Sequence, residues 1–193
     1  MNISFVIPTC GRESIRRTIA SLRPQIVLGD EILVVQDPET DVVSLLGTFL
    51  KEMPVKILTD TTPGDRKWGY KARTYGMNRA TKPWIHIIGD DDVYLPDALP
   101  QLRPLLLEET TPIICRMKRR QNEAETIWKT EGISRGNQAG EMIVFPNIPE
   151  KFGRFDAKRY DGDQAFIRQL VFNYGNSRWS DIEICHWRAP TAV

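Results

Sequence analysis

An α/β fold built on a mainly parallel central sheet is what this sequence predicts, and three observations predict it. Four short apolar runs, at residues 3–7, 31–36, 55–58 and 84–88, alternate with segments of helical spacing. The intervals between the runs are long enough for crossover helices, which parallel strands require. Each run ends in polar or turn-forming residues, so the polar motifs collect at one end of the sheet, where ligands bind in such folds.

The first run is closed by Pro8 and the small-residue turn Thr9-Cys10-Gly11-Arg12, as expected of a buried strand feeding a loop. From Ser14, Ile15, Ile19 and Leu22 recur at steps of three and four until Pro24, which predicts the first helix. Ile32-Leu33-Val34-Val35 forms the second strand and ends at Asp37-Pro38, and a helix is expected over 42–51. After Pro54 comes the third strand, and residues 59–65, with two Thr pairs, Pro63 and Gly64, read as a loop. A helix over 71–80 leads to the fourth strand, which runs into Gly89-Asp90-Asp91-Asp92. Leu95-Pro96-Asp97 opens another helix reaching about residue 107. Residues 113–118 and 140–145 are expected to form a small antiparallel ribbon, residues 163–172 an amphipathic helix and residues 182–186 a last strand.

At 193 residues and 22.1 kDa the chain suits one domain, residues 1–193, with one core. Lys+Arg 26 against Asp+Glu 25 leaves a net charge of +1, so bulk positive charge does not make nucleic acid or anionic lipid the expected partner. The start of the chain lacks a basic segment and a long apolar core, and no run approaches a membrane span. The expectation is a soluble, cytoplasmic protein. Cys10, Cys115 and Cys185 are an odd number without a Cys-x-x-Cys pair, consistent with free thiols in a reducing compartment.

Charge is sorted by segment. Residues 64–82 hold Arg66, Lys67, Lys71, Arg73, Arg79 and Lys82 against Asp65 alone, an excess of five positive charges, whereas residues 89–97 hold four acids and no base. A cationic wall beside a carboxylate cluster is the arrangement that holds a phosphate ester and a bridging divalent metal. The alternatives are a solvated helix face and an acidic loop capping the helix after Pro96. Strand alternation lets two of the three consecutive carboxylates reach one ion, and hard oxygen donors suit Mg²⁺ or Mn²⁺.

With these residues in view the sequence resembles the family 2 glycosyltransferases, enzymes of the Rossmann-like A-type glycosyltransferase fold. Residues 5–12, Phe-Val-Ile-Pro-Thr-Cys-Gly-Arg, look like the family's opening strand and Pro-Thr turn. Ile32-Leu33-Val34-Val35-Gln36-Asp37 is similar to its second strand, whose final Asp holds the nucleotide base, and Ala72-Arg73 matches its Ala-Arg helix. Residues 87–99 are similar to its metal-binding signature with the trailing Pro-Asp-x-Leu, and Asp161-Gly162-Asp163 stands where the family has Glu-Asp, whose second acid is the base. Gln36, Gly89 and Gly162 depart from the usual acids at their positions, which moves the metal role to Asp91 and favours Asp163 over Asp161 as base.

The resemblance implies a metal-dependent inverting transfer of a sugar from a nucleoside diphosphate, with UDP-glucose or UDP-galactose favoured, to a saccharide or other acceptor hydroxyl. Residues 1–92 would be the nucleotide-binding half and 93–193 the acceptor-side half. Pro8, Thr9, Arg12, Asp37, Lys71, Arg73, Asp90 and Asp91 are the expected donor-binding residues. Asp91, Asp92 and His186 are the expected ligands of Mn²⁺ or Mg²⁺, with Lys67 a further cation near the diphosphate. His86, inside a strand, reads as structural, and Trp68, Trp128 and Trp187 are candidate sugar platforms. The run Arg116, Lys118, Arg119, Arg120 reads as a solvated ribbon edge before an anionic acceptor site. A nucleotidyltransferase would carry a Gly-rich basic loop after the first strand, and a phosphatase an Asp-x-Asp there; Pro8-Thr9-Cys10-Gly11 is neither. A catalytically silent sugar-nucleotide or glycan-binding module would have no use for Asp163.

Overall fold

The first apolar run becomes strand β1 (Ile3–Thr9), buried at all seven residues because it lies inside the sheet with helices on both faces. A computed structural model describes residues 1–62, 69–119, 122–127, 131–134, 136–155 and 162–187. Strands β2 (Glu31–Gln36), β3 (Val55–Thr59) and β4 (Trp84–Ile87) join β1 as a parallel set, in the order β3-β2-β1-β4. Helices α1 (Ile15–Leu22) and α4 (Tyr70–Met77) make two of the crossovers. The helix expected over 42–51 is broken into α2 (Val42–Leu46) and α3 (Phe49–Glu52), because Gly47 between them adopts a φ of +47° that no helix continues through.

The second half extends the same sheet. Strands β5 (Val93–Tyr94), β6 (Ile113–Arg119), β7 (Asn122–Ile127), β8 (Ile143–Pro146) and β9 (Arg178–Trp187) complete nine strands among the described residues. The expected pairing of the two runs at 113–118 and 140–145 is present between β6 and β8, but not as a separate ribbon. Strand β8 also pairs antiparallel with β4, so it ties the halves into one sheet, and residues Gly140–Met142 form a 3-10 turn before it. Strand β7 adds a hairpin on β6 between the two expected strands. Helices α5 (Ala98–Glu108) and α6 (Gly162–Tyr174) cover opposite faces.

Strand alternation divides the core. Ile3, Phe5 and Ile7 face α1 and α5, meeting Ile15, Ile19, Leu99 and Leu102, while Val6 and Val35 face α4 and α6 with Met77, Phe166 and Leu170. Gly76 lets α4 lie close to the sheet, since a Cβ there would stand 2.5 Å from Val6 Cγ1 and 2.9 Å from Val35 Cγ2. Cys115 and Cys185 are buried free thiols within this core, and Cys10 is exposed.

At the amino ends of the strands, away from the polar turns, Glu31 ties three segments to β2. Its carboxylate accepts from Ser4 Oγ at 2.7 Å, Thr81 N–H at 2.7 Å, Thr81 Oγ1 at 2.8 Å and Lys56 Nζ at 2.9 Å. Burial pushes its pKa up, but the hydrogen bonds from Lys56, Ser4 and Thr81 outweigh it and bring the value down from 4.5 to about 2. A lowered folded-state pKa means stability that is present above the unfolded value and is lost as pH falls toward the folded one. Glu31→Gln should therefore melt earlier than wild type at pH 7, and the difference should shrink between about pH 4.5 and 2. Parallel melting curves across that window check it; a constant difference at every pH would remove Glu31 as the source.

Candidate active site

Because β1 and β4 are parallel neighbours, their carboxyl ends open at the same edge of the sheet, and the turns that follow meet there. Thr9 Oγ1 donates to Asp90 Oδ2 at 2.7 Å and accepts from the Gly11 N–H at 3.0 Å. Arg12 reaches across the same turn, with Nη1 3.2 Å from Asp90 Oδ1 and 3.0 Å from Asp91 Oδ2. Gly11 has a φ of +86°, and a Cβ there would stand 2.6 Å from Thr40 Cγ2, so the β1 turn lies directly against the turn after Asp37. Pro8 is buried, with Gly69 at the head of α4 packed close enough that a Cβ there would lie 3.3 Å from the proline ring.

The three consecutive carboxylates have different environments. Asp90 is buried against Thr9 and Arg12, and burial raises its pKa even though those two partners oppose the shift. Asp92 is only 2% exposed, with its N–H bonded to the Gly89 carbonyl and its own carbonyl accepting from Thr18 Oγ1. The Asp91 side chain is 30% exposed and is the one presented to solvent. Both neighbours fold over Gly89, where a Cβ would lie 2.8 Å from Asp92 Oδ2 and 3.1 Å from Asp91 Oδ1. A side chain at position 89 would require both carboxylates to move aside.

Asp163 stands in the first turn of α6 with its side chain 26% exposed. Its carboxylate accepts from Arg73 Nη1 at 3.2 Å and from the Gly140 N–H at 3.4 Å. Arg73, on the sheet side of α4, is 8% exposed and also donates from Nη2 to Glu141 Oε1 at 2.8 Å. Burial works to lower its pKa, but the charges of Asp163 and Glu141 outweigh that and raise it, so the guanidinium stays charged. The rings of Tyr70 and Phe155 flank it at 6.0 and 5.7 Å from their centroids, and Phe155 stacks in turn on Phe166. Tyr70 accepts backbone hydrogen bonds from Gly162 and Asp163, which fixes the start of α6.

The structure thus brings Thr9, Arg12, Asp90 and Asp91 together, and brings Arg73 to Asp163, but separates Lys71 from Arg73. Lys71 lies on the outer face of α4, lining a cavity of about 420 Å³ with Thr62, Tyr70, Thr74, Tyr75 and Phe155. Asp37 follows β2, with the Thr40 N–H donating to its carbonyl in the adjoining turn. His186 pairs in register with Val93, one residue beyond Asp92, and its buried Nε2 has no hydrogen-bond partner among the described residues. Among those residues no three His, Cys, Asp or Glu side chains converge as a set that could hold a metal ion by themselves. Asp161, Arg66, Lys67, Trp68, Arg120 and Trp128 lie outside the described residues. Arg116 and Lys118 on β6 pair with Asp181 and Glu183 of β9.

Glu141 joins the site without a motif to mark it in the sequence. It lies in the run 140–145 that the sequence predicts to be strand, and its only signal is a single acid, flanked by Gly140 and Met142, at the head of an apolar segment. Its backbone meets His86 of β4, whose Nε2 lies 2.8 Å from the Glu141 carbonyl and whose Nδ1 meets the Tyr94 hydroxyl. A carbonyl only accepts, so Nε2 carries the proton and Nδ1 accepts from Tyr94. Burial holds the imidazole at about 4, hence neutral at physiological pH.

Over residues 4–174 the sequence matches the family described as Glycosyl transferase family 2. Among solved structures, S. aureus TarS superposes with a TM-score of 0.81 at 15% identity, covering 100% of this chain and 37% of that one. S. aureus TarS 1–349 in complex with UDP gives 0.80 at 17% identity, with 96% and 60% covered, and the complex with UDP-GlcNAc gives 0.78 at 17%, with 100% and 60% covered. At these identities the likeness is one of fold, and the chain covers 37–60% of the length of those proteins. No curated protein sequence matches it.

Proposed function

The chain belongs to glycosyl transferase family 2, and from that premise we propose that it moves a hexose from a nucleoside diphosphate, UDP first, to an acceptor hydroxyl with inversion at the anomeric carbon. The observation that carries the reading is that two partly exposed carboxylates, each held by an arginine, stand on different elements: Asp91 in the turn after β4, beside Arg12, and Asp163 in the first turn of α6, beside Arg73. The S. aureus TarS complexes with UDP and UDP-GlcNAc support a uridine diphosphate donor. UDP-glucose and UDP-galactose are the favoured donors, beside UDP-GlcNAc. No helix among the described residues is long and apolar enough to cross a membrane, and a cytoplasmic location is part of the proposal.

The residues present fit Mn²⁺ or Mg²⁺. Asp91 offers a hard oxygen donor, and Mg²⁺-type sites use one or two carboxylates completed by substrate phosphates and water, so a third protein ligand is not required. When bound, the ion would supply Lewis-acid neutralisation of the leaving diphosphate. Asp92 and His186 are the further candidates for it. Thr9 and Asp90 hold the β1 turn in place, and Arg12, already spanning Asp90 and Asp91, is placed to turn to a phosphate. Asp37 and Pro8 would border the base. Asp163 would take the acceptor proton as the hydroxyl oxygen attacks the anomeric carbon, and the bond to the diphosphate breaks on the opposite side.

UDP with Mn²⁺ is expected to raise the melting temperature. At 100-fold saturation the gain is about 2.7 kcal/mol, or roughly 5–10 °C for a chain of this size. Melting against UDP, other nucleotides and the three UDP-hexoses, with and without metal, checks it. No shift with any pair would sink the sugar-nucleotide reading.

A further inference from the structure

We propose that Glu141 is a positioning residue for the reaction: it grips Arg73 from behind and so sets the place and the proton affinity of the Asp163 carboxylate. This inference rests on the reading of Asp163 as the base. The geometry is a three-member ion chain, Glu141 Oε1 to Arg73 Nη2 at 2.8 Å and Arg73 Nη1 to Asp163 Oδ1 at 3.2 Å. One guanidinium therefore serves two acids. Glu141 is 5% exposed and Arg73 8%, whereas the Asp163 side chain is 26% exposed, so the chain leads from the interior to the site.

Each member is held from a different element. The turn carrying Glu141 is tied to β4 by His86, whose Nε2–H donates to the Glu141 carbonyl, and to α6 by the Gly140 N–H on Asp163 Oδ2. Gly140 leaves the room the chain needs, because a Cβ there would lie 2.6 Å from Arg73 Nη1 and 3.3 Å from Asp163 Cγ. A base must be poised: an arginine paired only with Asp163 would hold that carboxylate ionised and make it a weaker proton acceptor. Glu141 draws off part of the guanidinium's charge. The groups facing Asp163 among the described residues are Arg73 and Tyr70 from α4 and the Gly140 N–H and Glu141 from the turn. Tyr70, pushed up to about 12 by burial and Asp163, is neutral in the working range.

Glu141→Gln keeps the shape and removes the charge. The expected result is a fall in kcat of about 10²-fold, the scale set by a misplaced reacting group, with donor KM within about twofold. The acid limb of the pH–rate profile should move to lower pH, because Arg73, no longer shared, disfavours the protonated acid. Glu141→Asp, which restores the charge, should bring that limb back. Gly140→Ala, which pushes Arg73 away from Asp163 without changing any charge, should lower kcat and move the limb to higher pH, the direction opposite to Glu141→Gln. Arg73 side-chain N–H exchange by NMR needs no turnover, and it should be slow in wild type and fast in Glu141→Gln. Wild-type kcat and pH profile in Glu141→Gln, or unchanged Arg73 exchange, would overturn the proposal. Should wild type transfer no sugar while Arg73 exchange responds as expected, the arrangement stands and the functional reading falls.

Discussion

Asp163→Asn is expected to lower transfer to an acceptor by roughly 10² to 10⁴, with affinity for the sugar nucleotide nearly unchanged. The amide keeps the volume and can still accept from Arg73, but it cannot take a proton. Its NH₂ would face the Gly140 N–H, now 3.4 Å from Oδ2, a mild donor–donor contact. Arg73 would not be left buried without a counter-ion, because Glu141 remains at 2.8 Å. Melting should therefore change little, which separates lost chemistry from lost fold. The measurement is release of UDP with a panel of saccharide acceptors, beside calorimetric donor binding for both proteins. Asp161→Asn in the same assay is expected to do much less. Near wild-type transfer by Asp163→Asn would end the base assignment; wild-type donor binding without turnover on any acceptor would favour a binding module.

The second large effect is expected at Asp91. Asp91→Ala should abolish the metal-dependent part of nucleotide binding, taking away most of the melting shift that UDP and Mn²⁺ give to wild type. The fold should survive. Asp91 is the open member of the triplet and Arg12, with which it forms an ion pair, has a side chain 53% exposed, so the lost ion pair is of the surface kind. Arg12 keeps Asp90 as a partner at 3.2 Å. Removing one of three adjacent acids also relieves like-charge repulsion. Titration of Mn²⁺ and UDP, together and singly, by calorimetry checks this. Wild-type affinity in Asp91→Ala would move the ligand role to Asp92.

Periodicity determined much of this protein. The apolar runs at 3–7, 31–36, 55–58 and 84–88 could satisfy their backbone only in a covered sheet, and the helical intervals left parallel pairing as the arrangement, which the order β3-β2-β1-β4 bears out. Residue chemistry likewise marked the run Asp90-Asp91-Asp92, since three consecutive carboxylates after a buried strand repel one another unless a cation joins them, and the family resemblance then singled out Asp91 and Asp163. Local pattern could not tell which of three adjacent acids is open, because that depends on Thr9 and Arg12, some eighty residues away in sequence. It also did not show that β8 bridges the two halves, for an antiparallel pairing over long separation leaves no periodic trace.

Arg73 and Glu141 lie 68 residues apart and Arg73 and Asp163 lie 90 apart. Sequence could name Arg73 and Asp163 as separate residues by resemblance, but only the tertiary structure made them one ion chain and added Glu141 to it. The physical reason is that a buried guanidinium must find its counter-charges wherever the fold brings them, and those charges come from elements that share no local signal.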